Sequence, residues 1–231
     1  MISGEYYVYM AIAGVLSIIG FVVSNKLKNK FKQYSQVGLR SGMSGREIAE
    51  TMLQHYQIHD VRVVMGKGFL SDHYNPASKT VSLSPAVFEG RSVAAAAVAA
   101  HECGHAVQHA TAYNMLQMRS ALVPVVNMAA RAQQWLLLLA FVMLNSFPGL
   151  MLVAIITFAI TTLFAFITLP VEFDASRRAL AWLDASGMTH GAEYDGAKDA
   201  LKWAAMTYVS AALSALVMLV YLVFRYLGAR D

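Results

Sequence analysis

Long apolar blocks, almost free of Asp, Glu, Lys and Arg, divide this chain, and four of them approach the roughly 20 residues that a helix needs to cross hydrocarbon. The first, YYVYMAIAGVLSIIGFVVS (Tyr6 to Ser24), opens on aromatic residues and closes on the basic run NKLKNKFK. Glu5 precedes it and lysines follow it, so it reads as an uncleaved anchor, not as a signal peptide. The second and third, VPVVNMAARAQQWLLLLAFVMLN and LMLVAIITFAITTLFAFITL, form a hairpin around Ser146-Phe147-Pro148-Gly149, where Pro-Gly favours a turn. The fourth is MTYVSAALSALVMLVYLVFRYL, Met206 to Leu227.

Shorter patterns fill the gap between the first two blocks. SGREIAETMLQHY begins with a capping-box arrangement, Ser44 to Glu47, and predicts an amphipathic helix. VRVVMG and KTVSLS predict strands, separated by a turn-rich link from Asp72 to Pro76. Ser84-Pro85 starts a brief helix, because proline at the first helical position forfeits no needed donor. Ser92 then caps a longer one, VAAAAVAAHECGHAVQHA, whose alanines suit close packing. No internal repeat or low-complexity tract interrupts this order.

Composition agrees with a membrane protein: the 231 residues are 57% hydrophobic and only 14% charged, against about 25% charged in soluble domains. The net charge of +4 is mainly a topology signal. Lys and Arg concentrate between blocks one and two, beginning with Lys26, Lys28, Lys30 and Lys32, and between three and four at Arg177, Arg178, Lys198 and Lys202. Both segments are therefore expected in the cytoplasm, with Arg225 and Arg230 the exceptions. The basic residues form no stacking platform, so no nucleic-acid partner is expected. A single cysteine excludes an internal disulfide.

Chemistry enters at His101-Glu102-Cys103-Gly104-His105. Histidines four residues apart leave a helix from one face, so both imidazoles can reach one ion. Zinc with two histidines and a third protein ligand activates a water and polarises a carbonyl, and the adjacent Glu102 is placed to move the proton. Stacked histidines can also serve only as a satisfied polar patch, but burying two of them with a glutamate would cost several kcal/mol without compensation. His109 extends the four-residue spacing, yet it lies about 12 Å along the helix from His101. It is expected to support the site or the fold without being a ligand. Cys103 faces away and is expected as a small buried residue.

The third ligand must come from elsewhere. Glu172, in LPVEFDASRRA, directly follows the third block, and the hairpin returns the chain to the side of His105. On spacing alone it is a candidate ligand or an ordinary charge at a helix end. Ser176 shares its helical face, whereas Asp174 points roughly the opposite way.

HECGHAVQH together with LPVEFDASRRAL, SDHYNP before KTVSLS, and MTYVSAA resembles the YugP-like membrane zinc metallopeptidases over nearly the whole chain. More distantly it is similar to HtpX-type and CAAX-processing-type membrane gluzincins. The resemblance implies one zinc per chain on His101, His105 and Glu172, with Glu102 as general base and acid. It implies that Ser176 takes the position of an aspartate that orients a ligand histidine, losing the charge but retaining a hydrogen-bonding group. It implies that KTVSLS, through Thr80, Val81 and Ser82, is the edge along which a peptide substrate adds as a strand. Tyr208, His190, Tyr194 and His73 are candidates to stabilise the oxyanion, Tyr208 foremost.

The expected fold is an α-helical membrane protein with four transmembrane helices and a small α+β zincin-like cytoplasmic domain. Its segments are an anchor (1–24), the HExxH domain (25–120), a transmembrane hairpin (121–170), a cytoplasmic helical segment with the third ligand (171–203), and a final span with its tail (204–231). The expected activity is zinc-dependent endoproteolysis of membrane-associated or unfolded proteins at the cytoplasmic membrane. Its partners are peptide substrates and membrane lipid. A zinc-stabilised scaffold without proteolysis is the alternative. A transporter is disfavoured, because Arg131 alone is an ionisable group deep in a span. Arg131 is expected to snorkel or pair within the bundle.

Overall fold

The computed structural model describes residues 4–143, 146, 147 and 149–228. Leu144, Asn145 and Pro148, at the end of the second block and in the expected turn, lie outside the described residues, as does Arg230. The elements are α1 (Gly4–Ser35), α2 (Gly45–His55), β1 (Arg62–Met65), β2 (His73–Asn75), β3 (Thr80–Leu83), α3 (Pro85–Phe88), α4 (Val93–Ala110), α5 (Asn114–Val142), α6 (Gly149–Ala185) and α7 (Ala192–Gly228).

Contacts divide the chain into two compact units. The first comprises Met1–Val23, Met118–Leu169 and Thr207–Asp231. Three helices, α1, α6 and α7, are long and apolar enough to cross a membrane. The second expected span corresponds to α5, which qualifies only when the pieces on either side of a 43° bend, Asn114–Gln133 and Trp135–Val142, are taken together. The core of this unit gathers Leu137, Met151, Phe158, Met218 and Leu222, with Tyr9 packed against Phe141 at a ring separation of 5.3 Å. Gln133 accepts a hydrogen bond from Thr161 at 3.2 Å, which joins α5 to α6, while Arg131 is exposed.

The second unit comprises Ser24–Gln117 and Pro170–Met206. Its entrance, α2, carries the complete capping box: Ser44 Oγ accepts from the Glu47 amide, and the Glu47 carboxylate accepts from the Ser44 amide at 2.7 Å. The buried face of α2, Ile48, Ala49, Met52 and Leu53, packs on α4. Each large apolar side chain buried there contributes about 1.5–3 kcal/mol relative to exposure.

Both expected strands form, and a third joins them. The sheet order is β1-β3-β2, with β1 parallel and β2 antiparallel to β3. The link read as turn-rich therefore contains β2. Asn75 and Pro76 still mark a turn, since Asn75 Oδ1 accepts from the Ala77 and Ser78 amides, but that turn closes a short hairpin onto β3.

At the centre lies α4, capped by Ser92, whose hydroxyl accepts from the Ala95 amide. Fourteen of its eighteen residues are buried, which is possible because alanine presents so little bulk. The decisive small residue is Gly104. A Cβ built there would lie 2.6 Å from the backbone carbonyl oxygen of Ala175 on α6, a separation real Cβ atoms do not adopt. The glycine is required by that close approach, and the approach carries Glu172 toward the histidines.

Replacing Gly104 with alanine should therefore separate the two helices. Overpacking of this kind costs about 1–3 kcal/mol. The expected outcome is a lowered Tm together with zinc binding weakened at least tenfold, on the order of a single displaced ligand contact. A Gly104→Ala protein with the parent's Tm and zinc affinity would show that the contact does not position the site.

Candidate metal centre

Three side chains converge between α4 and α6. The rings of His101 and His105 meet edge to face, 4.8 Å apart between centroids. Glu172 Oε2 lies 3.3 Å from His101 Nε2 and 3.6 Å from His105 Nε2. Tetrahedral zinc with bonds near 2.05 Å would require donor atoms about 3.3 Å apart. The donor set, two imidazole nitrogens and a carboxylate oxygen, is also one that zinc accepts. These residues therefore fit a zinc ion. Among the described residues this is the one group of His, Cys, Asp and Glu side chains close enough to share a metal.

The remaining ring nitrogens are engaged as a metal site requires. His101 Nδ1 lies 3.1 Å from Ser176 Oγ. His105 Nδ1 lies 3.0 Å from Gln108 Oε1. Gln108 is fully buried, and its amide nitrogen donates to the Val171 carbonyl at 2.8 Å and to Asp174 Oδ2 at 2.9 Å. With both amide hydrogens committed to acceptors, the amide oxygen must face His105. His105 then carries a proton on Nδ1, and Nε2 is the nitrogen that faces Glu172. Asp174 is held in turn by Arg177 and Arg178.

Gln108 and Asp174 were not singled out as site residues by the sequence. Asp174 does lie two residues from Glu172, turned away from it, but both sides of α6 at that level meet α4: Glu172 reaches the histidines and Asp174 reaches Gln108. The three-residue spacing from His105 to Gln108 is the signal that was available.

Glu102 is buried, and burial raises its carboxyl above the ordinary range, an effect that the neighbouring imidazoles partly offset. For His105, burial acts to lower the pKa but is outweighed by hydrogen bonding to Glu172 and by the nearby carboxylate charges, so the net shift is upward. Cys103 points to α2, its thiol near the Ala49 carbonyl at 3.5 Å, and burial raises its pKa strongly. His109 stands outside the cluster. Its Nδ1 pairs with the Tyr74 hydroxyl at 2.7 Å, tying β2 to α4, and burial pushes that phenol up to about 12, so it remains protonated.

One expectation is corrected by the sheet. Thr80, Val81 and Ser82 belong to β3, the interior strand, which pairs with β1 on one side and β2 on the other. Their backbone groups are committed, so they cannot form the edge expected of KTVSLS. Among the other oxyanion candidates, His73 is exposed on β2, with Nδ1 against the Ser71 carbonyl at 2.8 Å. His190 precedes α7, and Tyr194 lies in its first turn. Tyr208 falls in the first unit.

Comparison with known proteins agrees with this chemistry. The chain matches the family described as "Putative neutral zinc metallopeptidase" over residues 9–227. It is 39% identical, over 225 residues, to a Bacillus subtilis (strain 168) protein named "Putative membrane protease YugP"; the alignment covers 97% of this chain and 98% of that one. No solved structure matches it. With a histidine pair, a converging buried glutamate and a match along nearly its entire length, the chain belongs to the neutral zinc metallopeptidase family.

Proposed function

We propose that this chain is an integral-membrane zinc endopeptidase acting on membrane-associated or unfolded proteins, with His101, His105 and Glu172 holding one zinc ion and Glu102 acting as general base and acid. The observation that carries the reading is the 3.3 and 3.6 Å separation of the donor atoms beside a buried glutamate. Bound zinc would lower the pKa of a water to about 7 and polarise the scissile carbonyl. Glu102 takes the proton of the attacking water and delivers it to the leaving amine. The buried position of Glu102 next to the first histidine in the motif supports that role. Ser176 and Gln108 hold the two imidazoles in orientation.

The substrate backbone is best received at the outer side of β2, His73–Asn75. Among the described residues nothing pairs with that side in the sheet, and β2 is bound to the motif helix through Tyr74 and His109. An extended peptide added there gains main-chain hydrogen bonds independent of its sequence.

The metal cluster also bears on topology. His105 and Glu172 share one unit, which supports an even number of crossings in the chain between them. α6 supplies one crossing, and the bent α5 is the available second. Four crossings, with the basic segments of the second unit in the cytoplasm, satisfy both the cluster and the distribution of Lys and Arg.

Two measurements test this reading. Glu102→Gln should bind zinc at the parent's stoichiometry while unfolded-protein cleavage falls by about 10²–10⁴-fold, the usual worth of a general base; undiminished cleavage would remove Glu102 from the mechanism. A C-terminal alkaline phosphatase fusion should be active, reporting the non-cytoplasmic side. An inactive fusion beside an active C-terminal fluorescent protein would contradict four crossings.

A further inference from the structure

A second feature of the metal-bearing unit has no part in the chemistry above. The C-terminal part of α6 and the first half of α7 enclose a groove of about 450 Å³. Its apolar surface comes from Phe173, Leu180, Leu201, Ala205 and Met206. Lys198 and Lys202 border it, both exposed, as does Arg177, whose guanidinium is paired with Asp174; among the described residues that line it none is acidic. Its inner wall includes Ser176, the residue against His101.

The order of these groups along the helices is informative. α6 and α7 each continue, without a break in the helix, from the apolar runs of 150–169 and 207–227. Phe173, Ala205 and Met206 come first beyond those runs. Arg177 and Lys202 follow one turn later, and Lys198 follows a further turn along. An apolar floor leading into a border of cations is complementary to a molecule with hydrocarbon at one end and negative charge at the other. Trp203, adjacent to Lys202, has Lys26 stacked over its ring at 5.6 Å, an aromatic-cation pairing typical of the membrane-water boundary.

We propose that this groove binds an anionic phospholipid, its headgroup phosphate held by Lys198 and Lys202 and an acyl chain lying along Phe173, Leu201 and Met206. The bound lipid would lie beside Ser176 and so adjoin the metal centre. The proposal rests on the membrane reading of the chain but not on proteolysis, so it can fail while the catalytic assignment stands, and the reverse.

The test is native mass spectrometry of the full-length, zinc-loaded protein in detergent with equal amounts of dioleoyl phosphatidylglycerol and dioleoyl phosphatidylcholine. One phosphatidylglycerol should be retained preferentially, and Lys198→Gln with Lys202→Gln should reduce that preference by about fivefold per lysine removed, with zinc content unchanged. Lys198→Arg with Lys202→Arg should retain it. Absence of preference in the parent, or a preference unchanged by the double glutamine variant, would overturn the proposal. Displacement of the lipid by glycerol 3-phosphate alone would overturn it too, by showing that the apolar floor is not used. So would a double variant that keeps its lipid preference but has a raised KM for acidic peptides, since the groove would then belong to substrate.

Discussion

The candidate metal site depends on two helix backbones meeting with no side chain between them. Histidines on α4 can be oriented by α4 alone, but a third ligand must be carried in on α6, and its side chain is only a few bonds long. Gly104 lets the backbone of Ala175 come within a distance that any larger residue would prevent. Glu172, three residues earlier on α6, is thereby brought to 3.3 Å from His101. The alanines preceding the motif serve the same end, because a helix buried on most of its surface can be approached closely only if its side chains are small.

This proximity places many polar groups out of water, and a chain of side-chain contacts supports several of them. Gln108 links His105 to Asp174 and to the backbone of α6, and Asp174 is neutralised by two arginines. Such a network is costly when partly satisfied and rigid when complete. Here it also fixes which nitrogen of His105 carries hydrogen, something the serine beside His101 does not settle, since a hydroxyl can donate or accept. A neutral amide backed by a buried carboxylate thus does for one histidine what a lone hydroxyl does for the other.

Much of this was legible in the chain and some was not, for identifiable reasons. Ser44 and Glu47 announced α2, Ser92 announced α4, and the histidine spacing announced a shared ligand face, because each is a local rule acting over three or four residues. Glu172 could be nominated only by following the hairpin back across the apolar runs, since it lies 67 residues beyond His105 in the sequence. The place of β3 was not legible: the strand was evident, but interior or edge position depends on β2, three residues long and written in the vocabulary of turns. Gln108 was passed over and Asp174 was set aside as facing away from Glu172, because their pairing is defined by tertiary proximity. Gly104 carried a signal, a helix-weakening residue inside a buried helix, whose meaning appeared only with Ala175 opposite.

The central claim is that one zinc ion is held by two imidazoles and one carboxylate. X-ray absorption spectroscopy at the zinc edge of the metal-loaded protein tests it most directly. The account predicts nitrogen and oxygen scatterers near 2.0 Å, with two imidazoles and no sulfur. A zinc-sulfur distance of about 2.3 Å, which would bring Cys103 into the site, or a third imidazole, which would bring in His109, would contradict it.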